Sequence, residues 1–167
     1  QYLFEAVNSI LNQTYSNFEF IIIDDGSTDF SYELIKKLSG NNNKIKIFKR
    51  SHFGLTNSLN FAIRKSNGKY IARMDADDIS KDVRIEKQVE YLEKNPNIDL
   101  LGSNRKYIGE NNFNKKKFSQ LPTENNIIKW HLLFSVPIIH PTLMVRANIM
   151  KSQNGYSEKF KYAQDYE

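Results

Sequence analysis

Residues 70–78 read YIARMDADD, a short apolar run that ends in three carboxylates within four residues. The apolar part is typical of a buried strand, so the acids Asp75, Asp77 and Asp78 are expected at its tip. Crowded carboxylates raise one another's pKa, and a divalent cation would remove that penalty. Oxygen ligands of this kind favour Mg²⁺ or Mn²⁺, which keep waters and bind substrate phosphates. The alternative is a solvated acidic loop that caps the next helix with Asp77 or Asp78.

A second predicted strand also ends in acids. Residues 18–23, FEFIII, are typical of a central strand, and DDGSTD follows at residues 24–29. Gly26 permits a positive φ, and the Ser, Thr and Asp that follow it are good N-caps for a helix through Leu34 and Leu38. Two strands are therefore expected to deliver carboxylates to loops at their C-terminal ends.

Strands and helices alternate through the first hundred residues. A helix is predicted in residues 1–13, a strand at 45–48 with a helix at 55–63, and a helix at 85–92 with a strand at 99–103. This alternation predicts an α/β fold with a mostly parallel central sheet and helices on both faces. In such sheets ligands bind beyond the carboxyl ends of the strands, where both acidic clusters should lie.

The last third of the chain is less regular. Residues 123–134 predict a helix, and residues 142–145 predict a strand that pairs at a sheet edge because the preceding segment is rich in proline. The residues of that helix predicted to face inward are Ile127, Trp130 (or Ile128) and Phe134. On the helix that follows the acidic cluster, Arg84 and Gln88 fit the exposed side, and we assign them no function.

Composition restricts the class of protein. At 167 residues, 40% hydrophobic and 26% charged, the chain is predicted to form one soluble globular domain without cysteine. No apolar run approaches the roughly 20 residues of a membrane span. The net charge of +5 comes mostly from scattered lysines, so no nucleic-acid partner is expected. The tight basic run at residues 115–117 indicates an exposed loop, with contact to phosphate or anionic lipid as the weaker option.

Four motifs follow one another along the chain: DDGSTD at 24–29, GKYIARMDADD at 68–78, HPT at 140–142 and QD at 164–165. As an ordered set they resemble the inverting family-two glycosyltransferases with a GT-A fold, a Rossmann-like nucleotide-binding architecture. The resemblance spans the whole chain. Members of the family open with a strand that precedes the helix found here at the start, so the first strand is expected to be missing, as is the segment after Glu167.

The resemblance implies one incomplete domain, 1–167, with a nucleotide-sugar-binding part at 1–103 and an acceptor-side part at 104–167. It implies metal-dependent transfer of a hexosyl-type sugar from a nucleotide-diphospho-sugar, typically UDP-linked, to a saccharide or lipid-linked saccharide, with inversion. Polysaccharide or glycoconjugate biosynthesis for the cell envelope is the expected context. The alternatives are a non-catalytic nucleotide-sugar-binding domain and a metal-dependent nucleotidyltransferase. We expect a cytoplasmic protein, with peripheral association at the inner face of the membrane as an option.

The resemblance also assigns roles residue by residue. Asp25 matches the acid that accepts a hydrogen bond from the nucleotide base; its alternative is a cap on the helix that begins at Ser31. Asp75 is expected near the ribose and within reach of the metal, Asp77 on Mn²⁺ or Mg²⁺, and Asp78 shares either task. Asp165 matches the catalytic base.

Three residues near these motifs keep more than one interpretation. Gln164 stands where the family usually has Glu, and the lost charge is expected to lower the pKa of the neighbouring base. Arg73 is either a phosphate-facing cation or an ion-pair partner of the acids. His140 either faces the acceptor or the metal, or is a hydrogen-bonded loop histidine.

Overall fold

The structure is a computed structural model that describes residues 2–108 and 121–159. The helices are α1 (Leu3–Leu11), α2 (Ser31–Ser39), α3 (Leu55–Lys65), α4 (Arg84–Lys94), α5 (Asn125–His131) and α6 (Ala147–Ser152). The strands are β1 (Phe20–Asp24), β2 (Ile45–Lys49), β3 (Tyr70–Ala72), β4 (Leu100–Leu101) and β5 (Met144–Arg146). A short 3-10 helix spans His140–Thr142. The basic run at 115–117 lies outside the described residues.

The predicted alternation of strands and helices is confirmed from α1 to β4. β1 and β2 pair in parallel, with Phe20 opposite Ile45 and Asp24 opposite Lys49. Helix α3 packs against β1, α2 packs against β2, and α1 packs against α2. The α/β fold class, with a parallel sheet and packed helices, is therefore confirmed. In the described ranges, no helix has the length and apolar character needed to cross a bilayer.

A second ladder has the order β3-β5-β4, and β5 is antiparallel to both of its neighbours. The prediction that residues 142–145 pair at a sheet edge is therefore wrong. Met144 and Val145 are 1% and 7% exposed, as expected for a strand flanked on both sides. The prediction failed because Pro141 lies in the 3-10 helix before β5, so it removes no N–H donor from the ladder.

The position of β5 also joins the two predicted parts of the domain. β5 lies in residues 104–167, the predicted acceptor-side part, and it pairs with β3 and β4 of residues 1–103, the predicted nucleotide-sugar part. Both neighbours run opposite to β5 and hence parallel to each other, so β5 is the reversed strand of this ladder. The two parts therefore share one sheet, and the alternation of elements alone did not predict it.

The core lies between these ladders and the helices that cover them. Its buried apolar side chains are Ala6, Val7, Ile10, Ile35, Ile63, Leu92, Met144, Val145 and Ala147. They come from both ends of the described chain, so packing ties the C-terminal strand and α6 to the N-terminal helices. Burial of such side chains removes apolar surface from water, which is the main favourable term in folding.

Helix α5 contributes little to this core. Ile127, Trp130 and Phe134 are 44%, 64% and 74% exposed, so the prediction that they face inward is wrong, whereas Ile128, the alternative to Trp130, is half-buried. The helix ends at His131, and Phe134 therefore lies beyond it. The rings of Trp130 and Phe134 pack edge to face with centroids 5.6 Å apart, so these aromatic side chains cover each other at the surface.

Arg146, at the end of the central strand β5, holds this ladder to helix α4 and the segment that follows it. Its guanidinium donates to the carbonyl oxygens of Leu92 at 2.8 Å, Ile98 at 2.9 Å and Asn95 at 3.2 Å. The side chain is only 15% exposed, and its fork also donates to the Tyr70 hydroxyl at 3.2 Å. It thereby satisfies carbonyl groups at the C-terminal end of α4 that have no helical partner.

We predict that Arg146→Lys lowers the free energy of unfolding by about 2–3 kcal/mol, because a single ammonium group cannot reach all of these carbonyls. Urea titration followed by circular dichroism measures the change. Lys69→Met is the control, because Lys69 is a cation at the neighbouring strand β3 whose partner, the Glu93 carboxylate at 2.7 Å, lies at an exposed position. Equal losses of unfolding free energy in both variants would contradict the role of Arg146 in holding the sheet to α4.

Candidate functional site

The three carboxylates of the acidic cluster lie in one tight turn directly after β3. The N–H of Asp78 donates to the carbonyl oxygen of Asp75 at 3.3 Å, which closes this acid turn, residues 75–78. Asp75 is half-buried, whereas Asp77 and Asp78 are exposed. The turn therefore presents negative charge to solvent at the end of a strand, as the sequence predicted.

Arg73 lies beneath the acid turn and holds its first carboxylate. Its Nη2 is 2.6 Å from Asp75 Oδ1, and its Nη1 is 3.2 Å from Asp75 Oδ2. The Arg73 side chain is only 10% exposed, and its Nε has no hydrogen-bond partner among the described residues. The ion-pair interpretation of Arg73 is confirmed. Because both oxygens of Asp75 already accept from Arg73, Asp77 and Asp78 are the carboxylates more accessible to a cation.

The charges in the acid turn affect one another as the sequence suggested. Partial burial raises the pKa of Asp78, and the charges of Asp75 and Asp77 raise it further, against smaller opposing effects of Arg73 and Arg84. Burial lowers the pKa of Arg84 to about 10, and the nearby charge of Asp78 opposes that change. The turn thus carries a repulsion that a bound cation would relieve.

The donor set of the acid turn fits a cation that arrives with an anionic ligand. No hydrogen bond or ion pair joins the Asp77 side chain to another described residue, so its oxygens are accessible. In residues 2–108 and 121–159, no three His, Cys, Asp or Glu side chains are grouped as a complete metal site. Mg²⁺ and Mn²⁺ suit such a place, because one or two carboxylates, waters and substrate phosphates complete their coordination.

Asp25 organises a loop at the end of the other acidic strand. Its Oδ1 accepts from the N–H of Phe53 at 3.0 Å, and its Oδ2 accepts from the N–H of Gly54 at 2.7 Å. Gly54 is the N-cap residue of α3, so Asp25 binds the start of α3 rather than of α2. The alternative that Asp25 caps the helix at Ser31 is wrong, since Asp29 accepts from the Ser31 N–H at 3.0 Å instead.

The Asp25 carboxyl group is held in its ionised form. Partial burial raises its pKa, but hydrogen bonds from Phe53, Ser58 and Gly54 and the charge of Arg50 outweigh that effect and lower the pKa below its usual value. An ionised carboxylate offers only acceptor oxygens. Asp25 can therefore accept a further hydrogen bond from a ligand N–H without losing its loop contacts.

Asp24, the residue before it, shapes the turn from within. It is 3% exposed, and its Oδ1 accepts from the N–H groups of Gly26 at 3.0 Å and Ser27 at 2.8 Å. Gly26 has φ +90°, and a Cβ there would lie 3.0 Å from the backbone nitrogen of His52. Glycine adopts this positive φ without strain and has no Cβ to meet His52. It therefore lets the 51–54 loop lie against the DDGSTD turn.

Two residues of α4 that the sequence analysis put on the exposed side are in fact enclosed. Gln88 is 4% exposed, and burial dominates the environment of Arg84. Gln88 lies on the same helix face as Ile85, Val89 and Leu92, at the spacing of three and four residues that marks a buried stripe. That spacing was the available signal, and it was missed because glutamine and arginine are usually exposed.

His140 occupies the 3-10 helix that precedes β5. Its Nε2 is 2.9 Å from the Tyr156 hydroxyl, and the two rings pack edge to face with centroids 5.3 Å apart. The interpretation of His140 as a hydrogen-bonded loop histidine is therefore confirmed. Asp165, Gln164 and Glu167 lie outside the described residues, so the predicted catalytic base stays a prediction.

Comparison with known proteins places this geometry in a family. The family model described as glycosyl transferase family 2 matches residues 1–151. An uncharacterized glycosyltransferase of Haemophilus influenzae is 39% identical over 99% of this chain and 54% of its own length. The O-antigen biosynthesis glycosyltransferase WbnJ of Escherichia coli is 36% identical over 100% of this chain and 65% of its own length. The chain thus spans little more than half of the Haemophilus relative.

Solved structures share the fold at lower identity. TarS residues 1–349 of Staphylococcus aureus, in complex with UDP, superposes with a TM-score of 0.76 at 22% identity, over 99% of this chain and 49% of that one. The mannosyltransferase PcManGT of Pyrobaculum calidifontis, in complex with GDP-Man and Mn²⁺, gives a TM-score of 0.71 at 17% identity, over 93% and 43%. With the acid turn at the end of β3 and a family match over most of its length, this chain belongs to glycosyl transferase family 2.

Proposed function

We propose that the protein transfers a sugar from a UDP-linked donor to a saccharide or lipid-linked saccharide, with a divalent cation and with inversion at the anomeric carbon. The observation that carries the proposal is the acid turn. Asp77 is exposed there and unpaired among the described residues, whereas both oxygens of Asp75 accept from Arg73. Residues 1–103 would form the nucleotide-sugar part, and 104–167 the acceptor side.

The DDGSTD loop is suited to read the base. Asp25 is ionised and fixed by two backbone N–H groups, so it presents acceptor oxygens in a defined direction. Uracil carries an N3–H donor, and a carboxylate is an apt partner because it has no donor of its own. The structure of TarS with UDP supports a uridine nucleotide as the donor class.

The acid turn is suited to hold the diphosphate. Asp77 would bind Mn²⁺ or Mg²⁺, Asp75 would lie near the ribose and within reach of the metal, and Asp78 would share either task. A bound cation supplies stabilisation of the charge that develops on the departing nucleoside diphosphate. Arg73 orients Asp75 through its paired contacts. The Mn²⁺ in the PcManGT complex supports a divalent metal here.

The acceptor reaction needs a base on the other side of the sugar. Asp165 would take the proton of the acceptor hydroxyl as its oxygen attacks the anomeric carbon from the face opposite the nucleotide. One bond to the acceptor oxygen forms while the bond to the diphosphate breaks, so the configuration inverts. The O-antigen assignment of WbnJ supports a saccharide acceptor. Neither a binding domain nor a nucleotidyltransferase would need Asp165.

The metal assignment predicts the behaviour of Asp77→Asn. The change keeps the size of the side chain and removes its charge, so UDP affinity should lose most of its Mn²⁺ dependence while the fold is retained. Calorimetric titration of UDP with and without Mn²⁺ measures this. Asp82→Asn is the control, because Asp82 is an exposed acid whose side chain makes a local contact, to the N–H of Val83. Equal Mn²⁺ enhancement in Asp77→Asn and the parent would put the metal elsewhere.

The base assignment predicts that Asp25→Ala weakens UDP binding by on the order of 1–3 kcal/mol, because the uracil N–H loses its acceptor. The same titration measures it. Asp29→Ala is the matched control, since it removes a carboxylate of the same motif that accepts from the nearby Ser31 N–H. A variant at Asp25 that binds UDP as tightly as the parent would leave Asp25 with its loop contacts alone.

The general-base assignment predicts that Asp165→Asn leaves UDP and Mn²⁺ binding nearly intact and lowers turnover by roughly 10²–10⁴-fold. The measurement is sugar transfer by the full-length protein. Glu167→Gln is the neighbouring control and should cost much less. Reversed effects would shift the motif by two residues, and full activity of both variants would show that neither carboxylate is catalytic.

A further inference from the structure

A closed ring of hydrogen bonds joins the acid turn to the segment around His140 through two side chains of α4. Arg84 Nη2 donates to the carbonyl oxygen of Arg73 at 2.8 Å, and Arg84 Nε donates to Gln88 Oε1 at 3.1 Å. Gln88 Nε2 donates to the carbonyl oxygen of Thr142 at 2.8 Å. The ring closes where the N–H of Arg73 donates to Leu143 at 2.9 Å. We refer to it as the α4 ring.

Two members of the α4 ring, Arg73 and Thr142, also contact further parts of the chain. Arg73 is also the ion-pair partner of Asp75, the first acid of the acid turn. Thr142 Oγ1 accepts from the N–H of Ser103 at 2.9 Å and donates to the carbonyl oxygen of Ile139 at 2.7 Å. The ring therefore fixes the start of the acid turn against the 3-10 helix that carries His140.

The position of Gln88 in the α4 ring requires an amide side chain. It is 4% exposed and uses its oxygen as an acceptor and its nitrogen as a donor at the same time. A methionine would fill the same space without either contact, and a glutamate could accept from Arg84 but not donate to Thr142. The α4 ring thus needs both the acceptor oxygen and the donor nitrogen of Gln88.

Arg84 is the first residue of α4, and enclosing its charged side chain costs free energy because the charge loses solvent. Burial lowers the pKa of Arg84 to about 10, which reports that its charge is poorly solvated there. Replacing buried charged groups with apolar residues of similar volume is often neutral or stabilising. Stability alone therefore does not account for Arg84 and Gln88, whereas fixing the acid turn does.

We infer that Arg84 and Gln88 are positioning residues for the donor site, which hold the acid turn in register with the His140 segment so that Asp77 meets the cation and diphosphate in one geometry. Neither residue contacts the substrate. The inference rests on the proposed function, since it needs a cation at Asp77. Groups that orient metal ligands from behind typically change metal affinity 10- to 100-fold when they are removed.

The test compares Gln88→Met with Asn60→Leu. Asn60 is also 4% exposed and also uses both ends of its amide, donating to the carbonyl oxygen of Tyr156 at 2.8 Å and accepting from its N–H at 2.8 Å. Each protein is titrated calorimetrically with UDP, with and without Mn²⁺, and its melting temperature is recorded. We expect both variants to melt lower, but only Gln88→Met to lose roughly tenfold or more of the Mn²⁺ enhancement.

Gln88→Glu provides the second variant, because it keeps an acceptor for Arg84 and loses only the donor to Thr142. We expect its Mn²⁺ enhancement to fall between those of the parent and Gln88→Met, and it decides alone if Gln88→Met does not fold. Enhancement equal to that of the parent, with only a lower melting temperature, would overturn the inference and leave the proposed function intact. A parent without any Mn²⁺ enhancement would overturn the metal assignment itself and this inference with it.

Discussion

The repulsion among three carboxylates in one turn is the constraint on which the rest of this structure depends. Asp75, Asp77 and Asp78 lie at the end of β3, where partial burial raises the pKa of Asp78 and the charges of Asp75 and Asp77 raise it further. Arg73 and Arg84 supply positive charge beneath them. Arg84 belongs to α4, and the N–H of Arg73 donates to the carbonyl oxygen of Leu143 before β5, so these two cations link the turn to α4 and to the second ladder.

Two acids of the predicted site, Asp25 and Asp75, are fixed by structural contacts. Asp25 binds the start of α3 through two N–H groups, and Asp75 accepts from Arg73 through both oxygens. Such contacts fix the direction of a carboxylate before a ligand arrives, which lowers the reorganisation that binding requires. Asp77 and Asp78 are the exceptions, since neither side chain pairs with a described residue, which leaves both carboxylates accessible to a cation.

Local pattern predicted the elements from α1 to β4 and the position of the acid turn, because apolar periodicity and a strand ending in acids are properties of contiguous residues. It failed where distant contacts decide. The central position of β5 depends on pairing with β3 and β4, and the exposure of Trp130 depends on how far α5 lies from the core. The partner of Asp25 is 28 residues away. Among these failures, only the burial of Gln88 could have been predicted, from its place in an apolar stripe.

The most direct test of the account is a crystal of the full-length protein grown with UDP and Mn²⁺, with diffraction recorded on both sides of the manganese absorption edge. The account predicts one anomalous peak in direct contact with the Asp77 carboxylate and the diphosphate, and the uracil N3–H within hydrogen-bond distance of Asp25. A manganese peak away from the acid turn, or a uracil ring bound elsewhere, would contradict it.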